Sequence, residues 1–150
     1  MKNWLLYSMM AFMSIMVLSG CSLLQGVNNT VEYVNGATDY INTASTFADE
    51  VPALAEQAVS DKNARAELEE RLNQMKSDIA AFNELDPPGV GEGVHKKIVG
   101  YNDTLEQGID GYLSKVENGE VDPKLLEDYK ILKTINQLTS IKEQLEQLGS

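Results

Sequence analysis

Tyr33, Tyr40, Phe47 and Leu54 stand seven residues apart. Val34, Ile41, Ala48 and Ala55 run beside them, and Ala37, Ala44, Val51 and Ala58 complete a broad apolar stripe. Offsets of three, four and seven put such residues on one face of a helix. A helix with this stripe must be covered by other elements, and its alanines allow a neighbour to approach closely. Pro52 lies inside the stripe and removes a backbone donor, so a kink or restart is expected near Glu50 to Pro52.

Three later stretches supply the cover. Ser60 and Asp61 are N-cap residue types. They precede Ala64, Leu68, Leu72, Met75, Ile79, Phe82 and Leu85, spaced four and three apart. The opposite face of that helix is charged. Glu69 and Glu70 lie on it as neighbours, and adjacent helical residues do not face each other, so they make no acid–base pair. The run Asp86-Pro87-Pro88-Gly89-Val90-Gly91-Glu92-Gly93 is a firm break. Its glycine spacing is not a phosphate loop, because no strand precedes it and no Gly-Lys-Ser/Thr ending follows.

A third helix is expected from about Val94 to Val116, with Val94, Ile98, Tyr101, Leu105, Ile109, Tyr112 and Val116 on one face. Gly100, Gly108 and Gly111 each weaken it by up to about 1 kcal/mol when interior. Close helix contact or local flexibility would account for them. Asn118-Gly119 suits a C-cap, and Asp122-Pro123 suits a new start. The last helix carries Leu125, Tyr129, Leu132, Ile135, Leu138, Ile141, Leu145 and Leu148, and stops at Gly149. Its end resembles a short coiled-coil seam, expected to pack within the chain. No alternating strand pattern competes. The expectation is an all-α fold: an antiparallel four-helix bundle, its first helix kinked near Pro52 and the whole preceded by a signal peptide.

The leader is read from the first 21 residues. Lys2 and the amino terminus supply positive charge, and Trp4 to Leu18 are apolar except for Ser8 and Ser14. This suits a signal peptide and is short of the roughly 20 residues a spanning helix needs. Leu18-Ser19-Gly20-Cys21 then resembles the lipobox of bacterial lipoproteins. The resemblance implies cleavage between Gly20 and Cys21, a diacylglycerol on the Cys21 thiol and, in some members, an N-acyl group. Two chains anchor stably where one is marginal, at about 0.8 kcal/mol per buried methylene. An ordinary secretory signal with an incidental cysteine is the alternative. The expected layout is 1–20 as cleaved signal peptide, 21–29 as lipidated cysteine and tether, and 30–150 as the helical domain. Residues 22–29 would reach at most about 26–29 Å if extended.

Charge and chemistry exclude more than they assign. The chain has 12 basic and 23 acidic side chains, a net charge of −11, and becomes one unit more negative when Lys2 leaves with the leader. That disfavours nucleic acid and contact with anionic headgroups, and it favours solubility. Cys21 is the only cysteine, so no disulfide forms within the chain and the domain folds by burial. His95 is the only histidine, close in sequence to Glu92, Lys96 and Lys97. It could move a proton or respond to pH, although such a residue more often makes a helix-start hydrogen bond or is exposed. One histidine without a cysteine partner does not build the usual zinc site. There is no calcium loop and no Gly-x-Ser-x-Gly elbow. No enzyme activity, catalytic residue, metal or cofactor is expected beyond the lipid itself.

Leu85-Asp86-Pro87-Pro88, His95, Tyr101-Asn102, Gly108-Ile109 and Tyr112-Leu113 together resemble small uncharacterised lipoproteins of the Bacillus type. That resemblance implies a Gram-positive envelope and an anchor on the outer face of the cytoplasmic membrane. Ser22 leaves a Gram-negative periplasm open as well. Two functions fit. An interaction module that binds another envelope protein predicts an exposed apolar or aromatic patch. A lipoprotein that binds a small molecule or wall fragment predicts a preformed pocket near the Pro-Pro-Gly loop. The candidate binding residues are His95, Tyr101 and Tyr112.

Overall fold

A computed structural model of the chain describes residues 20–149, with side chains from Asn29 onward. The signal-peptide reading of residues 1–19 lies outside the described residues, as does the side chain of Cys21. Every regular element described is helical. Helix α1 spans Gly20–Ala58, α2 Lys62–Asn83 and α3 Glu92–Glu117. Shorter helices follow: α4 at Leu125–Asp128, α5 at Ile131–Thr139 and α6 at Lys142–Leu148. A 3-10 turn, Gly89–Gly91, leads into α3.

Most of the α1 stripe is buried as its spacing demands: Tyr33, Ala37, Tyr40, Ile41, Ala44, Phe47, Val51, Ala55 and Ala58 lie in the core, while Val34, Ala48 and Leu54 at its edges are only partly covered. The helix runs through Pro52, so the expected restart does not occur. Proline forfeits one hydrogen bond there, and the buried Val51 and Ala55 on either side hold the helix by packing. The segment read as the tether is helical as well, because α1 already begins at Gly20. Residues 22–29 therefore span about 12 Å rather than their extended reach.

Asp61 caps α2 by accepting from the Asn63 backbone N–H at 2.8 Å. Ala64, Leu68, Leu72, Met75, Ile79 and Phe82 are buried, as the four-and-three spacing predicts. Helix α3 ends at Gly119, whose φ of 82° only glycine adopts without strain. The Glu120 N–H reaches Lys115 O and the Gly119 N–H reaches Val116 O, both at 2.9 Å. This pair of bonds is a Schellman cap.

The single last helix expected over Leu125 to Leu148 is broken into three. Lys130 takes a left-handed conformation, φ 61°, and a turn at Ser140-Ile141 separates α5 from α6. The buried face becomes Leu126, Ile131, Thr134, Ile135, Leu138, Ile141 and Leu145, while Leu125, Tyr129 and Leu132 are only partly covered. Close approach to α3 accounts for the break. A Cβ on Gly108 would lie 2.5 Å from the Tyr129 carbonyl oxygen, and one on Gly111 would lie 2.5 Å from the Tyr129 ring. The chain enters that notch at Tyr129 and must turn to bring Ile131 back against α3.

Contacts run from α1 to α2, α2 to α3, α3 to α5, and from α5 and α6 back to α1. The apolar faces thus close on one another around a common core. Ion pairs bridge the outside: Arg71 with Glu50, and Lys76 with Asp110 at 2.5 Å. Exposed pairs of this kind contribute at most about 1 kcal/mol, so burial dominates the stability.

Candidate functional site

The polar groups that packing brings together gather at one end, where α1, α2 and the start of α3 meet. Tyr33 of α1 is 4% exposed, and its hydroxyl lies 3.3 Å from His95 Nδ1. The imidazole stacks on Phe82 of α2, with ring centres 5.1 Å apart and planes at 23°. Phe82 stacks in turn on Tyr40 of α1, at 4.7 Å and 28°. The Tyr40 hydroxyl donates to Asn102 Oδ1, and Asn102 Nδ2 donates to Asn83 Oδ1 at 2.8 Å. Asn102 is fully buried, and these bonds offset the cost of placing an amide in the core.

Burial sets the proton affinities here. It pushes the Tyr33 hydroxyl up to about 12. It also raises Tyr40, with the Asp78 carboxylate acting the same way and the Asn102 hydrogen bond opposing. His95 is lowered from 6.5 by burial, against the pull of Asp86. The two tyrosines therefore stay neutral and serve as hydrogen-bonding groups rather than as bases.

Two open-sided clefts lie along the α1–α2 seam at this end. One, about 260 Å3, is lined by Asn29, Glu32, Tyr33, Leu85 and Asp86. The next, about 220 Å3, has Tyr40, Phe82 and Leu85 in its floor and Asp39 and Asp78 in its walls. Leu85 divides them and reaches toward Gly36, where a Cβ would lie 3.5 Å from its methyl. A larger surface hollow, about 700 Å3, is lined by Glu127 of α4, by Leu132, Lys133, Asn136 and Gln137 of α5, and by Ser140 after it.

The three candidate binding residues do not come together. His95 belongs to the aromatic cluster. Tyr101 is half-buried further along α3. Tyr112 sits about 25 Å from His95 along the helix axis, fully buried in the core. Burial and then Asp122 push its hydroxyl up to about 12, and among the described residues that hydroxyl has no hydrogen-bond partner. Toward the exposed apolar patch expected of an interaction module, the described residues supply three well-exposed large apolar side chains, Val31, Val59 and Val90.

Sequence reasoning missed Tyr33, Tyr40, Phe82, Asn83 and Asn102 as a polar–aromatic unit. One signal was readable. Asn102 falls in phase with Ile98, Leu105 and Ile109, and a lone amide on an apolar face calls for a buried partner. Among the described residues, no group of His, Cys, Asp and Glu side chains could hold a metal ion. No helix described is long and apolar enough to cross a membrane.

Residues 33–148 match the Family of unknown function (DUF6376). The chain belongs to that family. The DUF6376 match opens on Tyr33, the first buried residue of α1 among the described side chains, and takes in every helix that packs on it. Across nearly its whole length the chain is also similar to "Uncharacterized lipoprotein YybP" of Bacillus subtilis (strain 168). The two are 34% identical over 145 residues, which cover 97% of this chain and 98% of the relative. No solved structure matches this DUF6376 chain.

Proposed function

We propose that this chain is a non-enzymatic, lipid-anchored protein of the extracytoplasmic face, which binds another envelope protein through the α1–α2 clefts. The leader and the Leu18-Ser19-Gly20-Cys21 motif support the anchor, as does similarity to a relative named a lipoprotein. On this reading Cys21 carries the lipid, residues 1–20 are removed, and the membrane is Gram-positive. The architecture we infer is an antiparallel bundle, bent at Pro52, in which α4, α5 and α6 together supply the fourth member.

One observation carries the binding role. The α1–α2 seam is where aromatic and aliphatic side chains meet open clefts, walled by Glu32, Asp39, Asp78 and Asp86. Since those clefts are open-sided and the core is filled by its own side chains, they suit a protruding segment of a partner better than an engulfed small molecule. A wall fragment or small ligand is the second reading, and the clefts beside His95 and the Pro-Pro-Gly loop are where it would bind.

The test is cross-linking of the tagged, lipidated protein in cells, followed by mass spectrometry of what co-purifies from membranes. A specific partner lost in an Asp39→Lys, Asp78→Lys variant supports the module. Only self-cross-links, or a partner indifferent to those changes, would move the assignment to ligand binding. A Cys21→Ser protein should leave the membrane fraction; its retention there would count against the lipid anchor.

A further inference from the structure

We propose that His95 is a pH-sensitive latch: its neutral ring holds Tyr33 of α1 and Phe82 of α2 against the start of α3, and its protonation loosens that junction and opens the adjoining cleft. This rests on the reading of the α1–α2 clefts as the contact site, and adds how that site would be regulated.

Three contacts converge on one ring. The Tyr33 hydroxyl lies 3.3 Å from Nδ1, Phe82 covers one face, and Tyr33 is tilted against the ring at 5.8 Å between centres. Tyr33 keeps its own proton across the physiological range, since burial pushes it up to about 12. We assign the neutral ring its proton on Nε2, so that the Tyr33 O–H donates to an unprotonated Nδ1. Protonation puts a second donor at that contact. Nδ1–H then points at the tyrosine oxygen, and the tyrosine proton must turn away from the bond it made. The ring also becomes a cation against Phe82, in a setting that has already given up part of its water.

The surrounding charges do not cancel that cation. From α1, Glu32 lines the cleft beside Tyr33; from α2, Asp78 acts on Tyr40. Asp86, in the loop after α2, is the group that favours protonation of His95, and burial opposes it more strongly. On α3 itself, Glu92 and Lys96 pair with each other at 3.7 Å in solvent, and Lys97 is exposed.

The sign follows by linkage. The folded chain holds this proton less well than an unfolded chain, where the ordinary value is 6.5. Between the two values the unfolded or opened form binds more protons. The latch is therefore fully closed above about pH 6.5 and weakens as pH falls toward the folded value. A chain on the outer face of a membrane meets the pH of the medium directly, so acidification would expose Tyr33, Tyr40 and Phe82, which line the two clefts.

The mature lipidated protein in nanodiscs supplies the test. His95 is the only histidine, so its imidazole proton signals can be followed by NMR without assignment ambiguity. Amide hydrogen exchange, corrected for intrinsic rates, would be compared at about pH 7.5 and about pH 5. The expected result is a midpoint below 6.5, with exchange rising several-fold in residues 29–36, 79–86 and 92–99 while residues 62–72 hold steady. His95→Gln keeps an acceptor for Tyr33 but cannot titrate, so its protection should be flat across that range. Tyr33→Phe keeps the packing and loses the hydroxyl, which should move the His95 midpoint upward. A midpoint at or above 6.5, as the face of Phe82 and Asp86 together would produce if they prevailed, overturns the latch. So does acid opening that persists in His95→Gln. None of these readouts needs a partner, so a working latch with no partner would count against the binding role alone.

Discussion

The two ends of α3 are held to their neighbours by opposite means. Around His95 and Asn102 the contacts are polar and aromatic: a chain of hydroxyls and amides, stacked rings and open clefts. At Gly108 and Gly111 α3 presents no side chain, and the backbone and ring of Tyr129 lie directly against the helix. The first end depends on protons being in the right place. The second depends only on volume. One helix thus carries a junction that chemistry can loosen and a junction that only a change of shape can loosen.

That contrast can be broken from either side. Gly108→Ala should have the largest effect, because its Cβ would meet a backbone oxygen that cannot swing aside. A loss of about 3 kcal/mol is expected, at the upper end for overpacking, read as a lowered midpoint in urea unfolding. Asn102→Ala comes next at about 2 kcal/mol, since it strands the buried Tyr40 hydroxyl; the same unfolding series would report it. Gly111→Ala presses on the half-buried Tyr129 side chain rather than on backbone, so about 1 kcal/mol is expected. The smallest changes should stabilise. Tyr112→Phe removes a buried hydroxyl that lacks a partner, and Gly100→Ala fills a helical site with nothing within 4 Å; each should gain about 0.5–1 kcal/mol, seen as a rise in Tm. If Gly100→Ala cost as much as Gly108→Ala, the notch would not be what distinguishes the second end.

Much of this was legible in the chain. Spacing placed the centres of the buried faces of α1 and α2 and missed only at their edges, at Val34, Ala48, Leu54 and Leu85, because a long helix under one continuous partner has no freedom to change phase. It failed after Tyr129. The run Leu125, Tyr129, Leu132 keeps helical period, yet the left-handed Lys130 resets the phase and buries Leu126 and Ile131 instead. Nothing local in Lys130 announces that conformation; it is imposed by the glycine notch across the core. The glycines themselves were visible, but choosing close contact over flexibility required knowing what faces them. Gly100 shows the limit, since it shares the composition signal and faces open space. The functional candidates divide in the same way. His95 stood out as a singleton, whereas Tyr112 was an ordinary core position, and the partners of His95 come from residues far away along the chain.

The unbroken run of α1 from Gly20 into the core has a mechanical consequence. A floppy leash would let the domain tumble and sample every orientation above the bilayer. Here Cys21, the proposed site of lipid attachment, and Tyr33, the first core residue among the described side chains, lie on one rod, about 18 Å apart. The domain would stand as a mast of fixed height, with its clefts near the foot. Any partner would have to present its segment within that thin layer, and a tilt imposed on the lipid end would be felt in the core as leverage rather than lost in slack.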